Sequence, residues 1–145
     1  MDFTDIEDRI KTAIRTAIPY AKLVETYAGQ LEGDMEKLPM SFPVVFVAYG
    51  GSALDLVDGQ SYNDAPTFSI VVAAKDLRGA KDLREGEHGC YQMIKGVLGA
   101  IAGQTLGLDI WPLKPVRVNL IFISRIMAAY GIDFETSFDS IYQEG

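Results

Sequence analysis

The feature that most constrains this chain is an apolar strand pattern, followed by a charged connection and an amphipathic helix. Residues 68–74 form a nearly unbroken apolar run, rich in β-branched side chains and about as long as one buried strand. Residues 75–87 are densely charged, and residues 91–101 then carry apolar side chains at helical spacing. The pattern predicts a core strand and a helix that covers it, joined by one charged loop.

A second helix is predicted at the N-terminus. Its apolar face is formed by isoleucines that recur every four residues: Ile6, Ile10, Ile14 and Ile18. Thr4 and Glu7 have the spacing of a capping box, in which each side chain bonds a backbone N–H of the first turn. Pro19 cannot continue the hydrogen-bond ladder and ends the predicted helix.

The remaining apolar segments favour strands. Strand character is found at residues 22–27, 44–49, 116–123 and 132–138, of which the last two alternate most clearly. Residues 106–111 indicate a short strand or an extended segment. The polar residues 52–65 are predicted to connect two strands as a hairpin loop, with Gly50-Gly51 as the preceding turn. Gly131 is predicted to mark a bulge where the last strand begins. Residues 30–38 are compatible with a short helix or an ordered loop.

This order of elements predicts an α+β fold. Hairpins dominate, so we expect one domain over residues 1–145, with a mostly antiparallel sheet and two main helices on one face. The strands at 44–49 and 68–74 are apolar on both faces, and Ile121 and Ile123 fall on the polar face of theirs. Because two helices cover one face only, a partner subunit is the simplest cover for the other.

Composition excludes several classes of function. The formal net charge of −7 disfavours a groove for nucleic-acid backbone, which requires clustered Lys and Arg. No apolar run approaches the ~20 residues that cross a bilayer, and the acidic N-terminus lacks the pattern of a secretory signal. We therefore expect a protein of a cytoplasm-like compartment, where a single Cys fits a reducing environment.

The case for enzyme chemistry depends on His88 and Cys90, the only His and Cys of the chain. A helix N-terminus lowers a thiol pKa, and a nearby His could act as base, so a nucleophilic Cys is one hypothesis. Residues two apart do not face each other on a helix, and no oxyanion pattern accompanies the pair. A buried structural Cys beside a surface His is the competing interpretation, and we expect no catalytic residue.

Metal and phosphate sites are equally poorly supported by the sequence. Asp55, Asp58 and Asp64 could hold a loose cation, but they lack the spacing of a calcium loop and are interpreted as solvated carboxylates. Gly50-Gly51 is not followed by the Lys of a phosphate loop. We expect no metal and no cofactor.

Two other features suggest contact between elements or between subunits. Gly96 and Gly99 each cost up to about 1 kcal/mol relative to Ala inside a helix, which indicates close approach to the sheet or another subunit, or a tolerated loss. The charged loop is too long for a tight turn. Its cations are the candidate arm for another copy or a partner, against the alternative of a solvated hairpin tip: Lys75, Arg78, Lys81 and Arg84.

The order of several short segments resembles one known family. These segments are the isoleucine-rich N-terminal helix, residues 24–31 (VETYAGQL), Leu38-Pro39, residues 42–51 (FPVVFVAYGG), residues 72–76 (VAAKD), Arg78, residues 89–91 (GCY) and residues 106–108 (LGL). Together they resemble the tail-terminator, or neck, family of Mu-like contractile-tailed phages and prophages.

That resemblance implies a structural assembly protein and supplies no catalytic residues. It implies a homo-oligomeric, hexameric ring that caps the head-proximal end of the tail tube and sheath. The implied partners are further copies of the chain, the tube and sheath proteins and a head-side neck or connector protein, while DNA passes without specific binding. The implied location is the tail neck of the virion, after assembly in the bacterial cytoplasm. The alternatives are a head–tail connector or minor tail protein and a small cytosolic enzyme.

Overall fold

A computed structural model describes residues 1–33, 37–38, 40–76, 84–86 and 88–141. These residues form two long helices and six strands. The helices are α1 (Phe3–Ala17) and α2 (Cys90–Ile101). The strands are β1 (Leu23–Thr26), β2 (Val44–Leu56), β3 (Ser61–Lys75), β4 (Lys114–Ile123), β5 (Met127–Glu135) and β6 (Phe138–Ile141).

One sheet joins all six strands in the order β1-β2-β3-β5-β4, and β6 pairs with the first residues of β3. The β1–β2 pair is parallel and every other pair is antiparallel. The predicted α+β class, with a mostly antiparallel sheet, is confirmed. Residues 68–74 lie in β3, the middle strand of the order, as their apolar pattern predicts.

Helix α1 begins two residues earlier than the capping box predicts. Asp2 is the N-cap, and its Oδ1 accepts a hydrogen bond of 2.9 Å from the backbone N–H of Thr4. Thr4 itself lies inside the helix, so the predicted Thr4 cap is wrong. An aspartate caps as well as a threonine, and here it adds a negative charge beside the helix N-terminus. The helix ends at Ala17, before Pro19, as predicted.

Both helices pack on the same face of the sheet. Helix α1 lies over β1 and β2, and α2 lies over β3 and β5. The buried isoleucines of α1 meet Met93 and Val97 of α2 and the inward side chains of the strands in one core cluster. Gly96 allows the two helices to approach, because a Cβ there would stand 2.9 Å from Cγ1 of Ile18. A Cβ on Gly99 would meet nothing within 4 Å.

The opposite face of the central strands is covered by the chain itself. Leu31, Tyr27 and Phe42 belong to a second apolar cluster that buries Phe46 and Met127 completely. The expectation that a partner subunit covers this face is therefore wrong for β2 and β3. The strand and helix patterns do not reveal this cover, because Leu31, Tyr27 and Phe42 lie outside the helices and strands.

The connection between β2 and β3 is much shorter than predicted. Gly50-Gly51 does not end the strand: the register shifts between Tyr49 and Ser52, and β2 continues to Leu56. Gly51 has a φ of +103°, which only glycine adopts readily, so the pair forms a bulge within a continuous strand. The predicted turn and the predicted loop over 52–65 are both wrong, and the true connection is residues 57–60.

The last hairpin also differs from its prediction. Strand β5 begins at Met127, so Gly131 lies in its middle, and an irregularity falls opposite, between Leu120 and Phe122 of β4. The extra residue, Ile121, folds over Gly131, where a Cβ would stand 3.1 Å from the Ile121 Cδ1. Residues 106–111 form no strand, so of the two alternatives there the strand is wrong.

Candidate interaction surfaces

Cys90 is a core residue. Its side chain is fully buried, and its thiol donates a hydrogen bond to the backbone oxygen of Ala128 at 3.5 Å. Burial raises the pKa of the Cys90 thiol to about 11, although it is the first residue of α2. The expectation that the helix N-terminus lowers this pKa is wrong, because desolvation of the thiolate outweighs the helix dipole. At neutral pH the thiol stays protonated.

His88 is held in a structural role next to that helix. Its φ of +65° belongs to the left-handed region, and its ring stacks on Tyr20 with centroids 3.9 Å apart and planes 9° apart. Its backbone N–H donates to Oε1 of Gln92 at 2.6 Å, which closes the turn that leads into α2. A ring stacked on Tyr20 and a thiol bonded to Ala128 do not form a nucleophile and base.

The three aspartates that could hold a loose cation lie on different parts of the β2–β3 hairpin: Asp55 on β2, Asp58 in the connection and Asp64 on β3. Oδ1 of Asp58 accepts the backbone N–H groups of Gln60 and Ser61 at 2.8 and 2.9 Å, and these hydrogen bonds lower its pKa. Asp64 is opposite Leu54 in the register, so Asp55 and Asp64 point to opposite faces. In the described ranges, no three His, Cys, Asp or Glu side chains could hold a metal ion together.

The charged loop is described only at its ends. Lys75 is the last residue of β3 and pairs with Met127, and Arg84 lies in a short helical turn before α2. Arg78 and Lys81 lie outside the described residues. The hypothesis that these four cations form a docking arm stays a prediction.

The most exposed apolar strand is β4. It is the last strand of the sheet order, and the helices lie over β1, β2, β3 and β5. Its large side chains are therefore uncovered: Val116 is 42% exposed, Val118 45%, Leu120 55%, Ile121 52% and Ile123 43%. The alternation of this strand predicts one buried face, and that prediction is wrong. We call residues 114–123 with their open outer side the β4 edge.

A groove lies beside the β4 edge on the face away from the helices. It has a volume of about 380 Å³ and is lined by apolar and aromatic side chains: Tyr27, Leu31, Val71, Ile121 and Phe122. Gly131 contributes to its shape, because the missing side chain lets Ile121 lean inward. The groove is wide enough to accept an aliphatic side chain from outside.

The second exposed apolar surface is the end of the β2–β3 hairpin. Residues 52–66 extend for roughly 20 Å at strand rise beyond Thr67, the first residue of β3 that pairs with β5, and β6 pairs with residues 61–64 on the β3 side. We call this segment the β2–β3 projection. Leu54 is 63% exposed, Leu56 75% and Val57 56%. Strand β1 pairs with β2 only as far as Val47, so residues 52–56 also have an open side.

These two surfaces carry opposite charges. The β2–β3 projection bears exposed Asp55 and Asp58. The β4 edge bears exposed Lys114 and Arg117, with exposed Arg125 just beyond it. Arg117 Nε lies 3.4 Å from Oδ2 of Asp133, yet its side chain is still 65% exposed. Lys114 and Arg117 are paired in the sheet with Glu135 and Asp133 of β5, so the β4 edge together with Arg125 keeps only a small positive excess.

Sequence reasoning missed the β2–β3 projection because its polar residues suggested a loop. Leu54 and Leu56 flank Asp55 in an alternation that continues the strand beyond the glycine pair, and this alternation was the signal. Neither helix of the described residues is long and apolar enough to cross a membrane.

The described residues thus combine a buried thiol, an α+β sheet with exposed apolar side chains along β4, and a β2–β3 hairpin with exposed leucines. The family model described as "Bacteriophage Mu, Gp37" matches residues 2–139, nearly the whole chain. The chain belongs to this family and is a structural, tail-related phage protein. No curated protein gives a significant match. The resemblance to Mu-like phage tail proteins is confirmed.

Proposed function

We propose that the protein forms a ring, hexameric in its complete form, that terminates the phage tail. The ring caps the head-proximal end of the tail tube and sheath and joins them to a head-side neck protein. Membership of the Mu Gp37 family supports the tail setting. The observation that carries the proposal is the β4 edge, whose large apolar side chains are exposed and which, among the described residues, has no strand on its outer side.

An exposed apolar edge strand favours association. It presents backbone N–H and C=O groups together with apolar side chains, and a second chain can satisfy both. Proteins that stay monomeric protect such edges with charge, proline or a covering segment. In β4 the charges and the proline are confined to the first four residues, and residues 118–123 carry neither. A contact between two different surfaces of the same chain generates a closed ring when the rotation between copies closes. This is the geometry that a cap on a cylindrical tube requires.

The charge of the chain suits a passage for DNA. With a net charge of −7, the assembled ring repels the phosphate backbone instead of holding it. DNA then moves through the neck of the virion without a specific binding site. The ring assembles in the bacterial cytoplasm with the rest of the tail.

The test is tube and sheath polymerisation with the purified protein. We expect a ring in negative-stain images at one end of each tube, and a narrower distribution of tube lengths than without the protein. A matched control is the Thr12→Asp variant, which adds a charge on the exposed side of α1 and should cap normally.

Two outcomes would contradict this function. Protein that remains monomeric in light scattering at high concentration, with or without tubes, cannot form a terminating ring. Protein that binds the head-side component but neither tube nor sheath in a pull-down would instead be a head–tail connector. Decoration along the tube length would indicate a minor tail protein.

A further inference from the structure

We propose that the ring is built by one repeated contact, in which the β2–β3 projection of each copy docks on the β4 edge of the next. This inference depends on the proposed ring and specifies the two surfaces that form it. The occupant of the β4 edge is therefore a second copy of this chain, joined head to tail.

The first support is backbone geometry. In the part of the chain that the structure describes, residues 52–56 pair only with β3 and the β4 edge pairs only with β5. Each surface thus offers a row of backbone groups for a further strand. Addition of one open strand to another is a common mode of protein recognition, in which backbone hydrogen bonds supply affinity and side chains supply selectivity.

The second support is the match between apolar side chains. Cross-strand partners share a face, and residues alternate along a strand, so Leu54 and Leu56 stand on one face of the projection. The β4 edge offers Val118 and Leu120 on the helix side and the apolar groove on the other. Either side buries the leucines more completely than the isolated chain does.

The third support is charge complementarity. Asp55 and Asp58 of the projection meet Lys114 and Arg117 of the β4 edge in such a contact. Opposite charges steer the encounter and disfavour wrong partners. Two projections would repel each other through their aspartates.

Pairing of two β4 edges is disfavoured by the same argument. In an antiparallel two-fold pair, the first residues of one strand lie beside the last residues of the other. Lys114 of one copy would then approach the end that leads to Arg125 of the second copy. Such a pair would also close as a dimer and leave the β2–β3 projection uncovered.

The experiment uses two blocked variants of the full chain. The projection variant carries Leu54→Asp and Leu56→Asp, and the edge variant carries Val118→Asp and Leu120→Asp. All four positions are exposed, so each variant should fold, which thermal unfolding followed by circular dichroism will check. Both use Asp, so that the two blocked surfaces repel each other when the variants are mixed.

The expected result is complementation. Native mass spectrometry should show a ring for the wild type and for Thr12→Asp, and a monomer for each blocked variant alone. An equimolar mixture should give a 1:1 heterodimer, because the intact projection of the edge variant meets the intact β4 edge of the projection variant. No larger assembly should form, because the other two surfaces are blocked.

Several results would overturn the inference. A ring formed by either variant alone would show that its altered surface is not the contact, and a mixture that stays monomeric would show that the two surfaces do not meet. In both cases a wild-type ring that still caps tubes leaves the proposed function intact. A wild type that neither forms rings nor caps tubes would overturn the proposed function itself.

A charge exchange gives a second test if a blocked variant does not fold. Asp55→Lys alone, and Lys114→Glu with Arg117→Glu, should each weaken ring formation at least tenfold. The chain with all three changes should regain part of it, because residue 55 and the β4 edge again carry opposite charges while Asp58 is unchanged. If the combined variant forms rings no better than the separate variants do, the proposed contact is wrong.

Discussion

Residues 68–74 of β3 and residues 116–123 of β4 have similar apolar character but very different surroundings. Both are rich in β-branched and aromatic residues. Phe68, Ile70 and Val72 are fully buried, whereas the large apolar side chains of β4 are about half exposed. The comparison shows that an apolar strand pattern indicates a strand that can be buried. Whether it is buried within one chain depends on the elements that pack against that strand.

The difference follows from what surrounds each strand. Strand β3 has a strand on either side, α2 on one face and part of the second apolar cluster on the other. Strand β4 has one neighbour, β5, and lies beyond the helix layer. We infer that the neighbours missing from β4 belong to the assembled particle. The same property that stabilises the fold at β3 is available for association at β4.

The sharpest test of this comparison uses the same substitution in both strands. Ile70→Ala should lower the free energy of unfolding by about 2 to 5 kcal/mol, because it opens a cavity in a fully buried site. Ile123→Ala, at a side chain that is 43% exposed, should cost about 1 kcal/mol or less. Urea denaturation of monomeric protein measures both. Equal losses would mean that β4 is as well covered as β3.

The free energy of unfolding should also depend on pH through Cys90, a fully buried residue of the core. Its pKa is raised from 9.0 to about 11, so the folded state keeps the proton that the unfolded state loses above pH 9. Stability is therefore complete below pH 9 and falls as the pH rises towards 11, by about 2 to 3 kcal/mol at about 1.36 kcal/mol per pKa unit. Denaturation curves across this range measure the loss.

The matched control for the pH test is Cys90→Ala. Tyr20 and Tyr130 also have raised pKa values; the burial that raises both remains in this variant, whereas the smaller effect of Cys90 on the pKa of Tyr130 is removed together with the thiol. The free energy of unfolding should fall more steeply between pH 9 and 11 in the wild type than in Cys90→Ala, and the difference between the two slopes gives the effect of the thiol. A native thiol that reacts rapidly with a disulfide reagent at about pH 8 would contradict the burial of Cys90.

The two helix glycines should respond in opposite directions. Gly96→Ala should destabilise the protein by about 1 kcal/mol, because contact with Ile18 outweighs the better helix propensity of Ala. Gly99→Ala should stabilise it by about 0.5 to 1 kcal/mol, since the new methyl group meets nothing. Thermal unfolding of both variants distinguishes the packed side of α2 from its open side. Stabilisation by both substitutions would show that the helices can separate at no cost.

The charged loop gives the smallest expected change in stability. Replacement of Arg78 and Arg84 by Glu should leave the free energy of unfolding within about 0.5 kcal/mol of the wild type, because the sequence predicts a solvated charged loop there. If the loop contributes to docking, the same variant should form fewer rings or cap fewer tubes in negative-stain images. Unchanged assembly would leave the β4 edge and the β2–β3 projection as the relevant surfaces.

The helices and strands of the buried core were predictable because the sequence patterns that indicate them are local. The isoleucine spacing of α1, the helical period of α2 and the apolar run of β3 each follow from the preferences of a short segment. The α+β class follows from their order. The predicted Thr4 cap failed because Asp2 takes the same role two residues earlier.

The interaction surfaces were less predictable because they depend on contacts between distant segments. The apolar residues of β4 alternate clearly along the strand. This alternation does not reveal that the two helices cover the sheet only as far as β5. Gly50-Gly51 fits a turn or a bulge equally well, and pairing of the flanking residues with Phe68 and Pro66 decides between them. The alternation of Leu54, Asp55 and Leu56 suggests a strand, but only the pairing with β3 shows that this strand is a continuation of β2.

The sequence by itself determined the secondary structure of the core, the lack of a catalytic motif and the likeness to a phage tail family. Only the tertiary structure decided which apolar side chains are buried within the chain and which stay exposed. It buried Cys90, covered Phe46 with residues from outside the helices and strands, and left the β4 edge open. Secondary structure depends on neighbours along the chain, while burial depends on neighbours in space, and within this chain β4 has a strand neighbour only in β5 among the described residues.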